Sequence, residues 1–159
     1  MQLINTLEAF GKKVVKESRQ NLTKKQKNAS KELYNSIKYN IENKNGSTVL
    51  SFEMADYGEY IDKGVKGSKD QTRAPKSPYK YTNKMPPIKS LDRWVVKRGL
   101  AGRNKKGQFV SRESIKFAIA RSIFLKGIET TNFFTRPLEQ NFDKLADELL
   151  NSFGNDIVL

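Results

Sequence analysis

Asn45-Gly46 stands between two segments in which apolar and polar residues alternate, Ile37, Tyr39 and Ile41 before it and Leu50, Phe52 and Met54 after it. Alternation places every second side chain on one face of a strand. An Asn-Gly pair tolerates the two positive-φ positions of a tight hairpin reversal. The pattern therefore predicts two antiparallel strands over residues 37–54, and the rest of the fold has to be arranged around that small sheet.

The two ends of the chain carry a different period. Leu3, Leu7, Phe10, Val14 and Leu22 fall on one stripe of an N-terminal helix, with Lys12, Lys13, Lys16 and Arg19 largely off it. A short helical stretch, KNASKELYNSI, follows with Leu33 and Ile37 inward. At the other end Thr135 can cap a helix, Pro137 suits a first turn, and Glu139 favours the positive end of the helix dipole. Leu138, Phe142, Leu145, Leu149 and Phe153 then recur at steps of four, three, four and four, and Gly154 is expected to end the run. Just before the cap, Phe133 and Phe134 cannot both face the core of an extended segment. One is expected to staple the helix entry and the other to contact a neighbouring subunit. Glu139, Asp143 and Asp147 share a line on the same helix, where like charges repel unless a cation answers them. A basic surface of an adjoining subunit would answer them, and a solubilising acidic face is the alternative.

The fold class expected is α+β: a small antiparallel sheet, the hairpin 37–54, packed by an N-terminal helix and a long C-terminal helix, with long basic loops. At 159 residues the length suits a single domain, 1–159. Between the two ends, ADYGEYIDKG reads as a short helical turn carrying Tyr57, Tyr60 and Ile61. IKSLDRWVVKRG reads as a helix with Ile88, Leu91, Trp94 and Val95 toward the core and Gly99 as C-cap. Residues 99–111 contain a Lys106-Gly107 turn and suit a small hairpin or a second basic loop. Ser111 then caps a helix through Lys126, with Ile115, Ala118, Ile119, Ser122 and Ile123 inward, and Gly127 stops it.

Charge is distributed unevenly. From residue 63 to residue 126 there are 18 Lys plus Arg against 3 acidic residues, a net of +15, whereas the remainder holds 12 against 14, a net of −2. A concentrated positive block favours a polyanion or an acidic protein surface as neighbour. Residues 63–85 lack periodicity and are rich in Gly, Pro and Ser, which reads as a flexible basic arm. Its candidate contact residues are Lys66, Lys69, Arg73, Lys76, Lys80 and Lys84, joined by Arg103, Lys105 and Lys106 from the second basic stretch. The candidate subunit-interface residues are Tyr57, Tyr60, Phe133, Phe134, Arg136, Glu139, Asp143 and Asp147.

Chemistry is constrained by what the chain lacks. Without Cys or His there are no disulfides, no thiolate or imidazole metal ligands, and no catalysis built on a Ser-His or Cys-His pair. Glu42-Asn43-Lys44 repeats the Glu-x-Lys triplet of some magnesium nucleases, and Glu53, Asp56 and Glu59 are a candidate hard-cation group. In a lysine-rich chain such a triplet arises by chance, and GVKGSK lacks the context of a phosphate-binding loop. Tyr79 and Tyr81 in SPYKYTNK are suited either to stacking on unpaired bases or to a protein interface. The expectation is a non-enzymatic protein without a cofactor. No stretch is apolar enough for a signal peptide or a membrane span, so no membrane association is expected.

The order of these parts resembles the tail-completion or neck family of tailed bacteriophages, the head-tail connectors and minor tail components that form rings between portal and tail. The stretches that carry the resemblance are ELYNSIKYNI leading into the hairpin, ADYGEYIDKG, PPIKSLDRWVVKRGL with FAIARSIFLKGI, and NFFTRPLEQNFDKLADEL. The resemblance covers most of the chain from Leu33 to Phe153. The sequence departs from the family pattern at Ile61-Asp62-Lys63-Gly64, where valine, glutamate, a small residue and glycine are more usual, and in the length of the basic loop that follows. The resemblance implies an α+β protomer in a homo-oligomeric ring, partnered by portal or connector and tail proteins. It also implies contact with packaged double-stranded DNA and a place in the virion after assembly in the host cytoplasm. A nonspecific nucleic-acid-binding protein is the alternative that the charge supports.

Overall fold

The computed structural model describes residues 2–27 and 31–157. In chain order the elements are α1 (Gln2–Lys24), α2 (Glu32–Ser36), β1 (Lys38–Lys44), β2 (Ser47–Glu53), α3 (Gly58–Lys63) and β3 (Val65–Lys66). A 3₁₀ turn (Ile88–Leu91) then leads into α4 (Asp92–Lys97), followed by α5 (Arg112–Lys126), β4 (Gly127–Ile128) and α6 (Thr135–Ile157). Where length alone suggests one domain, these elements group into two compact units. One comprises Met1–Gly58 and Asn132–Leu159, the other Glu59–Thr131.

The first unit realises the expected α+β arrangement. β1 and β2 pair antiparallel with Tyr39 opposite Phe52 and Ile41 opposite Leu50, and Asn45 and Gly46 both take positive φ, 51° and 79°. That is the mirror-image turn whose twist matches the flanking strands. The apolar face so defined is covered by both long helices. Leu7, Phe10 and Val14 of α1 and Leu145 of α6 form the buried centre, and Ile41, Leu50, Phe52, Phe134, Leu138 and Leu149 pack on it. Leu33 and Ile37 are buried as well. Buried Asn141 on α6 donates to the Glu17 carboxylate at 2.8 Å and to the Pro137 carbonyl at 2.8 Å, which fixes the approach of α6 to α1 by a polar contact that apolar periodicity cannot reveal.

Two expectations for α6 need correction. Phe142 and Phe153 are exposed, at 60% and 50%, and Ser152 lies buried where the apolar rhythm placed only hydrocarbons. The neighbour is a single helix and a two-stranded sheet, which cover a narrower sector than the five-residue stripe occupies. Gly154 does not end the helix, which continues to Ile157. Glycine weakens a helix by about 1 kcal/mol relative to alanine, too little to stop one on its own.

The second unit is organised by α5. Ser111 accepts a hydrogen bond from the Ser114 backbone N–H as N-cap, and Gly127 closes the C-terminus. β4 then pairs antiparallel with β3. The segment read as a flexible arm, 63–85, is folded here. The N–H groups of Ser68, Lys69 and Asp70 donate to the Phe124 and Leu125 carbonyls that end α5, Lys66 exchanges hydrogen bonds with Tyr79 and Tyr81, and Thr130 N–H donates to Arg73. Ala74 is fully buried, and the buried Ser77 hydroxyl donates to the Gly64 carbonyl at 2.6 Å. Orphan carbonyls at a helix end need donors, and this aperiodic stretch supplies them, so absence of periodicity here does not mean absence of order.

Trp94 also departs from expectation. It is 39% exposed, while its neighbour Val95 is the buried residue of α4, and the Arg98 guanidinium stands 6.0 Å from its ring centroid. In α5 the expected inward residues Ile115, Ile119 and Ile123 are half-buried and Ala118 and Ser122 are exposed, whereas Lys116 and Ala120 are buried. Lys116 is held by Glu113 at 2.5 Å and Asp92 at 3.1 Å.

Hydrogen bonding to Glu113 and then to Asp92 raises the Lys116 ammonium above its ordinary range. Tyr79 is raised in the same sense, first by its hydrogen bond to Glu59 and then by burial. A lysine whose folded pKa exceeds its unfolded value of about 10.4 contributes stability that is complete below that pH and is lost as pH climbs through the folded pKa. A tyrosine raised by folding acts in the same direction. Unfolding of the second unit, followed by the fluorescence of Trp94, should therefore become easier as pH rises above about 10. Lys116→Met should flatten that alkaline slope, and an unchanged slope would contradict the assignment.

Candidate functional site

Most of the expected basic contact residues of the 63–85 segment lie on backbone that is hydrogen-bonded to the rest of the second unit. Lys69, Arg73, Lys76, Lys80 and Lys84 are exposed on the folded 63–85 segment, and Lys66 is half-buried within it. Asp70 is used internally, accepting from the Thr72 hydroxyl and N–H at 2.7 and 2.9 Å, which lowers its pKa. Glu59 is likewise taken. Its hydrogen bond to Lys63 at 2.6 Å and a second to Tyr79 hold it below the usual carboxylate range. The second unit holds 18 basic and 6 acidic residues, a net of +12.

A second basic feature is the 99–111 stretch, which closes as a small hairpin-like turn. Arg103 and Phe109 form an antiparallel bridge, and the Asn104 carboxamide oxygen accepts from the Lys106 and Gln108 N–H groups. Arg103 donates to the Gly107 carbonyl at 2.7 Å and lies 3.9 Å from the Phe109 ring centroid. Phe109 is 73% exposed. A cation stacked on an exposed ring, beside exposed Lys105 and Lys106, makes a mixed aromatic and basic surface. Trp94, Val96, Leu100 and Phe117 are further exposed apolar residues of this unit. Sequence reading passed over Phe109 because a lone aromatic in a turn carries no period.

The interface candidates divide sharply. Phe133 is fully buried and is not an outward anchor. Its partner Phe134 is half-buried and packs edge-to-face on Phe52 at 5.4 Å. Phe133 has no outward surface while Phe134 keeps a partly exposed one, and the turn at Asn132, φ 49°, replaces the extended geometry on which the alternate-facing argument rested. Tyr57, Tyr60, Arg136, Glu139, Asp143 and Asp147 are exposed, with Tyr60 stacked at 4.6 Å on Tyr79. Tyr81 is half-buried against Phe124 at 6.2 Å, so both loop tyrosines have intramolecular ring partners.

What takes the place of the phenylalanine pair is a stripe on α6. Phe142, Leu150 and Phe153 are 60%, 72% and 50% exposed, and Ala146 lies exposed between them. Their spacing of four, four and three places them on one ridge. Glu139, Asp143 and Asp147, at i and i+4 steps, run along one side of it, and the buried face of α6 bounds the other. This is an apolar ridge with an acidic border.

The metal candidates are not assembled. Among the described residues no group of three or more carboxylates is close enough to hold an ion. The Glu42 carboxylate is bound to Lys44 and receives the Asn40 amide at 2.6 Å, so the Glu-x-Lys triplet is a local surface pair. Among the described residues no helix is long and apolar enough to cross a membrane. No protein-family model, curated protein or solved structure matches the chain.

Proposed function

We propose that this chain is a structural virion protein of a tailed phage, a subunit of the neck or tail-completion ring that joins portal and tail around the DNA. The observation that carries the reading is the ridge on α6. A chain with 36% hydrophobic residues leaves Phe142, Leu150 and Phe153 outward in one line, and a line of this kind is a mark of protein association. Its acidic border suits a basic, aromatic surface such as the one around Arg103 and Phe109. Two different surfaces of opposite charge favour head-to-tail contact between copies, the contact type that closes into rings. The exposed lysines of 63–85 are then assigned to an acidic neighbouring protein or to DNA in the channel.

The test is the Phe142→Asp/Leu150→Asp double variant. Both positions are solvent-facing, so monomer stability should move by no more than about 0.5 kcal/mol per site. Self-association and binding to portal or tail proteins, read as mass by light scattering, should be lost, and phage carrying the variant should fail to join heads to tails. Unchanged assembly would remove the ridge from the interface. The charge block favours one alternative, a nonspecific nucleic-acid-binding protein. That reading would prevail if the purified chain bound duplex DNA with steep salt dependence and engaged no virion protein.

A further inference from the structure

The first unit contains a cleft that the assembly reading does not use. It has a volume of about 630 Å³, between α1, α2 and the start of β1, and its charged and aromatic lining is Lys12, Lys16, Arg19, Lys38, Tyr34 and Tyr39. The size falls in the range of small-ligand sites, roughly 300–1,000 Å³. Lys12, Lys16 and Arg19 stand on one face of α1 at steps of four and three and extend over about 10 Å of helix. Val15 and Ile37 complete an apolar floor.

The walls are held in place by contacts that leave the charges of Lys16, Arg19 and Lys38 without an ion-pair partner among the described residues. The Tyr39 ring lies directly on Gly11, where a Cβ would come within 2.6 Å of it, so only glycine lets that ring settle against α1. The Arg19 guanidinium sits 5.2 Å from the Tyr34 ring centroid and donates to the Ile37 carbonyl at 3.0 Å. Its head is thus fixed by a ring and a carbonyl, and its Nε is buried without a hydrogen-bond partner. No lining residue is acidic. Of the acids on α1, Glu8 pairs with Lys12 alone at 3.1 Å, and Glu17 is engaged by Asn141. Lys38 lies opposite Glu53 across the hairpin, yet among the described residues neither it nor Lys16 forms an ion pair.

We propose that this cleft binds the phosphate groups of an unpaired nucleotide, either free or within a single strand, with the base against the tyrosine wall. Several cations within a helical span and no lining carboxylate suit neighbouring phosphate charges. The partly exposed rings of Tyr34 and Tyr39 suit stacking by an aromatic base. Duplex DNA keeps its bases stacked inside and cannot fill that wall. An acidic peptide can meet the cations but leaves the wall without a ring. The site is independent of the ring-subunit reading, since it uses none of the residues of the α6 ridge or of the 63–85 segment.

The experiment uses the full chain in the background Lys69→Glu/Lys76→Glu/Lys80→Glu/Lys84→Glu, four exposed positions whose reversal weakens binding by the other basic surface. A fluorescein-labelled hexathymidylate is titrated at low salt by anisotropy, with ATP and a hexaglutamate peptide as competitors. Binding is expected, and Lys16→Glu/Lys38→Gln, two exposed positions of which the second avoids setting a new carboxylate opposite Glu53, should weaken it at least tenfold without moving the unfolding temperature. Arg19→Lys, which keeps the charge but loses the planar fork, should weaken it by a smaller factor. Displacement by ATP identifies a free-nucleotide site, and displacement by unlabelled strand alone identifies a strand site. The proposal is overturned if neither nucleotide probe binds, if the double variant keeps wild-type affinity, or if hexaglutamate competes as well as the nucleotides do.

Discussion

Phe133→Ala is expected to cost the first unit about 3–5 kcal/mol, the range for truncating a fully buried phenylalanine. The ring has no solvent exposure and is among the largest fully buried side chains in the protein, together with Leu22, Leu33, Ile37 and Pro137. Its own carbonyl receives the Asn21 carboxamide at 3.3 Å, so the position ties the entry of α6 to the C-terminal half of α1. Small domains are stable by only about 5–15 kcal/mol, and a cavity here removes much of that margin. Denaturant unfolding of the variant should show a lowered midpoint with loss of helical circular dichroism. Phe134→Ala should cost less, because Phe134 is half-buried and its edge-to-face contact with Phe52 adds about 0.5–1.5 kcal/mol beyond its area. A Phe133→Ala protein of wild-type stability that merely failed to assemble would restore the outward-anchor role the structure denies it.

The other large effect is expected at Gly127. This residue has φ 78° and ψ −174°, a region occupied almost only by glycine and costing about 1–3 kcal/mol for other residues. Space is lacking as well. A Cβ would lie 2.1 Å from the Val65 carbonyl oxygen and 2.5 Å from the Gly67 nitrogen, both backbone atoms of the segment that pairs with β4. Gly127→Ala must therefore separate β3 from β4 and loosen the 63–85 segment, whose donors satisfy the end of α5. Increased proteolysis between residues 63 and 85, together with a lower unfolding midpoint reported by Trp94, is the expected result. Gly154→Ala gives the opposite sign. It lies inside α6 with nothing within 4 Å of its added Cβ, and it should stabilise by up to about 1 kcal/mol. Equal stability of Gly127→Ala and the parent protein would show that the β3–β4 pairing contributes little.

How far the candidate site could be read in advance depended on the range of the forces involved. The acidic line Glu139, Asp143 and Asp147 was legible because helical spacing fixes it, and the exposure of the basic residues followed from the cost of burying charge. Lys116 escaped that rule because Glu113 lies one turn away and Asp92 comes from a separate helix, a pairing with no trace in local sequence. The α6 ridge was hidden for a related reason. Phe142 and Phe153 share the helical period of the core residues, and only the width of the neighbouring elements decides which of them is covered. The cleft between α1, α2 and β1 needed α1 to be brought against the start of β1, with Gly11 against Tyr39 and Arg19 on the Ile37 carbonyl, so the polar face of α1 by itself displayed only a row of cations.

The sequence by itself determined the hairpin and its turn, the extents of α1 and α5, the Ser111 cap and the Gly127 stop. Each of these depends on φ/ψ preferences and hydrogen bonds among residues a few positions apart. Tertiary structure decided which apolar residues are buried, that residues 63–85 are folded, and that the chain groups into two units. Those outcomes depend on how much surface a distant element covers and on which orphan backbone groups it supplies with partners, quantities that no local pattern encodes.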